Sequence, residues 1–127
     1  MDASVNILNW FEISVSDMAR AKKFYETILS IQMEEMEMGG MKTAMFPFDM
    51  MGGKLSGGLA QSDMHKPSAD GVKIYLNCNP DLADALSKVE GAGGHVAMPK
   101  TQISPEIGYM AFIVDTEGNA IGMHSQA

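Results

Sequence analysis

Glu12 is the residue best placed to do chemistry. On a strand it shares a face with Trp10, two positions away. A carboxylate beside an aromatic surface can hold a cationic ligand or, when partly buried, act as a general base; the plain alternative is a solvated or salt-bridged strand carboxylate. The three histidines, His65, His95 and His124, lie far apart in sequence, so there is no His-Glu-x-x-His or other local metal pair. His65 falls in a polar connection, and His95 follows Gly93-Gly94 at a turn where solvent accounts for it. Of thirteen methionines, seven (Met33, Met36, Met38, Met41, Met45, Met50 and Met51) fall within nineteen residues. Thioethers bind Cu(I), but no histidine lies among them and Cys78 is distant; flexible methionines more simply fill strand surfaces and adaptable pockets. Met45, beside Phe46, is a candidate for such a lining. Gly52-Gly53 and Gly57-Gly58 lack the Lys-Ser/Thr pair of a phosphate loop. Cys78 has no histidine near it in sequence, so no nucleophile pair is identified.

These residues need a scaffold, and the periodicities describe one. Val5 to Val15 reads as a strand. Ser16-Asp17 supplies capping types before Met18, Ala21, Phe24, Tyr25, Ile28 and Leu29 at helical spacing, which predicts an amphipathic helix. Residues 31 to 59 show no helical stripe but carry Gly39-Gly40 and Gly52-Gly53 turns, predicting three short strands. A polar connection follows over residues 61–71. Val72 to Cys78 reads as a strand and Asn79-Pro80-Asp81 as a helix start. Leu82, Ala85, Leu86 and Val89 form an apolar face that ends at Gly91, Gly93 and Gly94. Val96 to Ser125 supplies three more strands, Tyr109 to Val114 being the clearest.

Length and charge narrow the classes further. A chain of 127 residues with 46% hydrophobic content buries enough surface for one domain with its own core. The single cysteine forbids an internal disulfide and points to a reducing, cytoplasmic setting. No basic-then-apolar leader or spanning segment is expected, so neither signal peptide nor membrane anchor. A net charge of −7 without a Lys/Arg cluster makes nucleic acid and anionic membranes poor partners.

The two halves repeat one order of elements, and letters support the repeat. Asp17-Met18-Ala19-Arg20-Ala21 matches Asp81-Leu82-Ala83-Asp84-Ala85, and Met45-Phe46 with Asp49 and Gly52 matches Ala111-Phe112 with Asp115 and Gly118. Asp17, Arg20 and Phe24-Tyr25, then Asp81-Leu82, Gly93-Gly94, Pro99 and Asp115-Thr116-Glu117-Gly118-Asn119, together resemble the vicinal oxygen chelate superfamily. That superfamily includes glyoxalase I, bleomycin-resistance proteins, extradiol dioxygenases and methylmalonyl-CoA epimerase. The resemblance runs from Asn6 to Ser125. It implies an α+β fold of two βαβββ modules forming a curved-sheet cleft, usually as a dimer. We expect one domain over residues 1–127, with module 1 at about 5–60 and module 2 at about 72–125.

The metal-dependent members take four His, Gln or Glu ligands from the first and last strands of each module. Here those positions fall on Trp10, Ile74, near Ser56, and on Gly122; a one-residue slip gives Asn9, Tyr75, Gly57 and Met123. Neither set contains a histidine or carboxylate. We therefore expect no metal and no other cofactor. The expected cleft is lined by Trp10, Glu12, Ser56, Ile74, Leu76 and Gly122, with His124 at its mouth as a possible proton carrier. The function expected is metal-independent binding of a small neutral or cationic organic molecule by a homodimer. The alternative is an enzyme of lyase, isomerase or dioxygenase type, either with ligands placed elsewhere or metal-free with Glu12 as base.

Overall fold

Asp17 caps the first helix as its residue type predicts: its side chain accepts a hydrogen bond from the backbone N–H of Arg20 at 3.1 Å. The computed structural model describes residues 2–49 and 51–127. In chain order the first module comprises β1 (Trp10–Ser14), α1 (Met18–Leu29), β2 (Glu34–Met38), β3 (Met41–Met45) and β4 (Ser56–Gln61). The second comprises β5 (Tyr75–Asn77), α2 (Ala83–Leu86), β6 (His95–Ser104), β7 (Gly108–Val114) and β8 (Ala120–Ser125). Each module forms its own four-stranded mixed sheet, ordered β1-β4-β3-β2 and β5-β8-β7-β6. The α+β fold of two βαβββ modules with curved, unclosed sheets is the one that the order of elements and the resemblance led us to expect.

One face of each sheet is covered and one is open. The apolar stripe of α1, Met18, Ala21, Phe24, Tyr25 and Ile28, is buried together with Ile13, Ala44 and Leu59 of the first sheet. Phe24, Tyr25 and Phe46 meet edge to face, with ring centroids 5.0 and 5.6 Å apart. Fully burying each such large side chain contributes roughly 1.5–3 kcal/mol, which is why α1 docks on this face. In the second module, Leu76, Leu82, Val89, Ala111, Ile113 and Met123 make the equivalent core.

Three elements are shorter than their periodicity suggests. The strand expected from Val5 begins only at Trp10, because the parallel partner β4 starts at Ser56, opposite Trp10; Val5, Ile7 and Leu8 are exposed. The strand expected over Val72 to Cys78 is confined to Tyr75–Asn77, where β8 runs beside it. The second helix is a single four-residue turn. Its Ala83 N–H is held by Asp81 rather than Asn79, and the chain then continues in short turns toward Gly91. Pro99, which has no N–H to give, sits in the edge strand β6 where the register shifts.

The modules are locked by the 115–119 turn. Gly118, at φ +92°, permits the reversal. Asn119 Nδ2 donates to Ser14 O at 2.7 Å, and the buried Tyr25 hydroxyl donates to Asp115 Oδ2 at 2.6 Å. Among the described residues, no helix is long and apolar enough to cross a membrane.

Candidate functional site

Strand parity decides which residues reach the open face of the first sheet. Ile13 turns toward α1, so Trp10 and Glu12 project from the opposite side. Their partners in register are Ser56 and Gly58 on β4, followed by Met45 on β3. Met36 and Thr43 are paired one step further along. Together these side chains enclose a cavity of about 470 Å³, with Met41, Phe48 and Lys54 completing the wall. Its surface is mostly apolar: an indole, a phenyl ring and three thioethers. The site has room because of Gly58, where a Cβ would stand 2.7 Å from Ala44 O and 3.0 Å from Met45 Sδ. A larger, shallower hollow of about 610 Å³ near the start of α1 is lined by Asp17, Glu35, Glu37 and Lys42, groups that water already solvates. The apolar cavity is the better place to remove an organic molecule from water.

Two polar features mark the wall. Ser56 Oγ donates to Pro47 O at 3.1 Å, so its hydroxyl ties down the Phe46-Pro47 segment. Glu12 Oε1 lies 2.9 Å from His65 Nε2, and His65 Nδ1 lies 2.7 Å from Ser62 Oγ. With the imidazole proton on Nε2, His65 donates to Glu12 and accepts from the Ser62 hydroxyl, which itself accepts the Met64 N–H. His65 is thus an orienting group rather than a solvated linker residue. Its side chain is 18% exposed. No spacing in the sequence signals this contact across 53 positions. Met45, the lining candidate beside Phe46, does reach the cavity, and Met41 and Thr43 share its face of β3. Met33 is in the core, Met51 is exposed, and Met50 lies outside the described residues.

The other expected site residues are distributed differently. Ile74 lines a separate hollow on the far side of β1, one that also touches Trp10 and Glu12. Leu76 lines a groove between the modules that reaches Ser56. Both residues pack with the core, because β5 pairs Tyr75, not Ile74, with Gly122. Gly122 lies beneath the Tyr75 ring, where a Cβ would stand 2.5 Å from Tyr75 Cδ2, and that ring meets Phe112 edge-on at 5.3 Å. His124 is on the same strand, with Nε2 donating to Ile107 O at 2.6 Å. Trp10, Glu12 and Ser56 therefore come together, while Gly122 and His124 belong to the second sheet.

Of the positions at which the resemblance implies metal ligands, Trp10 pairs with Ser56, while Gly122 pairs with Tyr75 rather than with Ile74. An indole, a committed hydroxyl, a phenol stacked on its neighbours and a bare backbone do not make a divalent-cation site. Among the described residues, no three of His, Cys, Asp and Glu are grouped to hold a metal ion. Cys78 is buried, which pushes its thiol to about 11 and keeps it protonated.

Residues 7–123 match the model of the Glyoxalase/Bleomycin resistance protein/Dioxygenase superfamily, and the chain belongs to that superfamily. No curated protein matches it by sequence. Among solved structures, it is similar to a glyoxalase/bleomycin resistance protein from Albidiferax ferrireducens T118 (TM-score 0.70, 18% identity, 96% of this chain and 100% of that one). It is also similar to TnmS3, an antibiotic binding protein from Streptomyces sp. CB03234 (TM-score 0.68, 18% identity, 99% and 100%). Glyoxalase I from Zea mays aligns at TM-score 0.66 and 18% identity over 94% of this chain but only 46% of its own length. This chain therefore spans about half of the maize enzyme. At such identities the likeness speaks for the fold.

Proposed function

We propose that this protein binds a bulky, largely apolar organic molecule in the cavity of its first module, without a metal and without transforming it. The observation that carries this reading is the wall itself. Trp10, Phe48, Met36, Met41 and Met45 surround about 470 Å³, enough for a multi-ring molecule. Rings offer flat contact surfaces, and thioethers adjust to irregular shapes. The likeness to an antibiotic binding protein supports the type of action; the ligand is left to experiment. The setting we infer is cytoplasmic, where a lone protonated thiol is stable. A homodimer is part of the proposal: Phe48, Met51 and Leu55 stand exposed on the segment between β3 and β4, where Phe48 also lines the cavity, and a second copy would cover them.

Trp10 is the only tryptophan in the chain, so its fluorescence reports on the cavity directly. Titration with a library of polycyclic aromatic compounds should produce saturable quenching and a matching rise in melting temperature. Absence of both across the library overturns the reading. A second reading, in which Glu12 is a general base, is favoured by the Glu12–His65–Ser62 chain of hydrogen bonds. Recovering a bound compound chemically changed would select it.

A further inference from the structure

We propose that Glu12, oriented by His65, recognises a cationic nitrogen, so that the cavity selects positively charged aromatic molecules over neutral ones of the same shape. This inference rests on the binding reading above and sharpens it. The cavity joins an open aromatic face to a carboxylate on the same side of one strand: Trp10 is 63% exposed and Glu12 stands two residues further along β1. A flat cation sliding onto the indole gains from the ring's negative face. Its charge then meets a carboxylate that is only half used, since Oε1 takes the His65 N–H and no hydrogen bond engages Oε2 among the described residues.

His65 gives this carboxylate a fixed direction. A glutamate on an open strand face otherwise samples many rotamers, and freezing them on binding costs affinity. The imidazole is itself fixed by Ser62 at 2.7 Å, so the preorganisation comes from the connection between the modules. Lys54 is the opposing charge in the wall and marks the side where an anion would settle. Among the described residues the His65 imidazole is the side chain that Glu12 meets, and Lys54 makes no salt bridge, so no lysine neutralises the carboxylate from within 4 Å. His65 is a positioning residue here, and Glu12 is the contact.

The test is calorimetric titration of the full chain at pH 7.5 with three flat tricyclic probes: 9-aminoacridine, a cation; acridine, neutral; and anthracene-9-carboxylate, an anion. The proposal expects 9-aminoacridine to bind about tenfold more tightly than acridine, with the anion weakest. Glu12→Gln, nearly isosteric, should bring the two acridines within about twofold of each other. His65→Ala should shrink the preference to about threefold, and His65→Gln should restore most of it, because its amide N–H can take the place of Nε2. A merely structural His65 would lower affinity for both probes together. Equal affinities for acridine and 9-aminoacridine, or tighter binding of the anion, overturns the cation anchor and leaves the binding reading standing. If none of the three binds and the aromatic library also fails to quench Trp10, the binding reading falls and takes the anchor with it.

Discussion

Arg20 and Glu117, 97 positions apart, meet through two hydrogen bonds: Nε to Oε2 at 2.7 Å and Nη2 to Oε1 at 3.0 Å. The same carboxylate accepts the N–H groups of Ser16 and Asp17 at 2.8 and 2.9 Å, where α1 begins. One side chain from the second module thus closes the start of the first module's helix. Burial alone would raise the Glu117 carboxyl, but Arg20, the two N–H groups and the Thr116 hydroxyl outweigh it and hold it at about 2. Its contribution to stability is complete above its ordinary value of 4.5 and is lost as pH falls through about 2. Glu117→Gln should cost about 2–4 kcal/mol at neutral pH, whereas Arg20→Ala, on a half-exposed partner, should cost only about 1 kcal/mol. Urea denaturation over a pH series checks both. A Glu117→Gln deficit that stays constant down to pH 2 contradicts the assignment.

The Tyr25 hydroxyl makes another link between the modules. Burial first, then the Asp115 charge and their hydrogen bond, push its pKa well above the ordinary tyrosine value of 10. The stability it provides is present below that value and is lost only as pH rises toward the shifted one. Ultraviolet titration of the chain's three tyrosines should show one that ionises only when the protein unfolds. Tyr25→Phe leaves Asp115 without this donor and should destabilise by about 1.5–3 kcal/mol.

Replacing Trp10 with alanine removes the widest flat surface of the cavity. Affinity for any aromatic compound found to bind should fall by about 1–3 kcal/mol, with little change in melting temperature because the ring is 63% exposed. Prior dialysis against a chelator should leave that affinity unchanged in the wild-type protein. An affinity that vanishes with chelation and returns with a divalent cation would refute metal-free binding.

Gly58→Ala places a methyl group 2.7 Å from a backbone oxygen that cannot easily yield. The expected loss is about 1–3 kcal/mol of stability, with weaker aromatic binding as the floor between Glu12 and Met45 fills. Thermal melts and Trp10 quenching measure the two effects separately. Unaltered binding to a stable variant would mean that ligands do not reach this floor.

The fold was largely written in local chemistry. Asp17 before an apolar stripe gives a capped helix in any context, and Met45 beside Phe46 pointed to the lining. The repeat of Asp17-Met18-Ala19-Arg20-Ala21 in Asp81-Leu82-Ala83-Asp84-Ala85 carried the doubled architecture. Strand ends were less legible, because a strand stops where its partner stops: Val5, Ile7 and Leu8 have suitable side chains but no neighbour to bond. The lining was legible in part. Trp10, Glu12 and Ser56 stand together: parity on β1 joins the first two, and the resemblance implied the third. Ile74 and Tyr75 exchange faces with a one-residue shift in β5, which the pattern of a three-residue strand is too short to specify.

By its own order of residue types, the sequence determined two similar modules, an acidic chain with one thiol, and donor-poor side chains at Trp10, Ile74 and Gly122. Those properties belong to single residues and short periods, and no packing can supply a ligand atom the side chains lack. Tertiary structure alone decided that a linker histidine would orient Glu12, that Glu117 would close the start of α1, and that Tyr75 would cover Gly122. Each depends on where segments 47 to 101 positions apart come to rest, and that is set by how two sheets and a helix bury their apolar faces together.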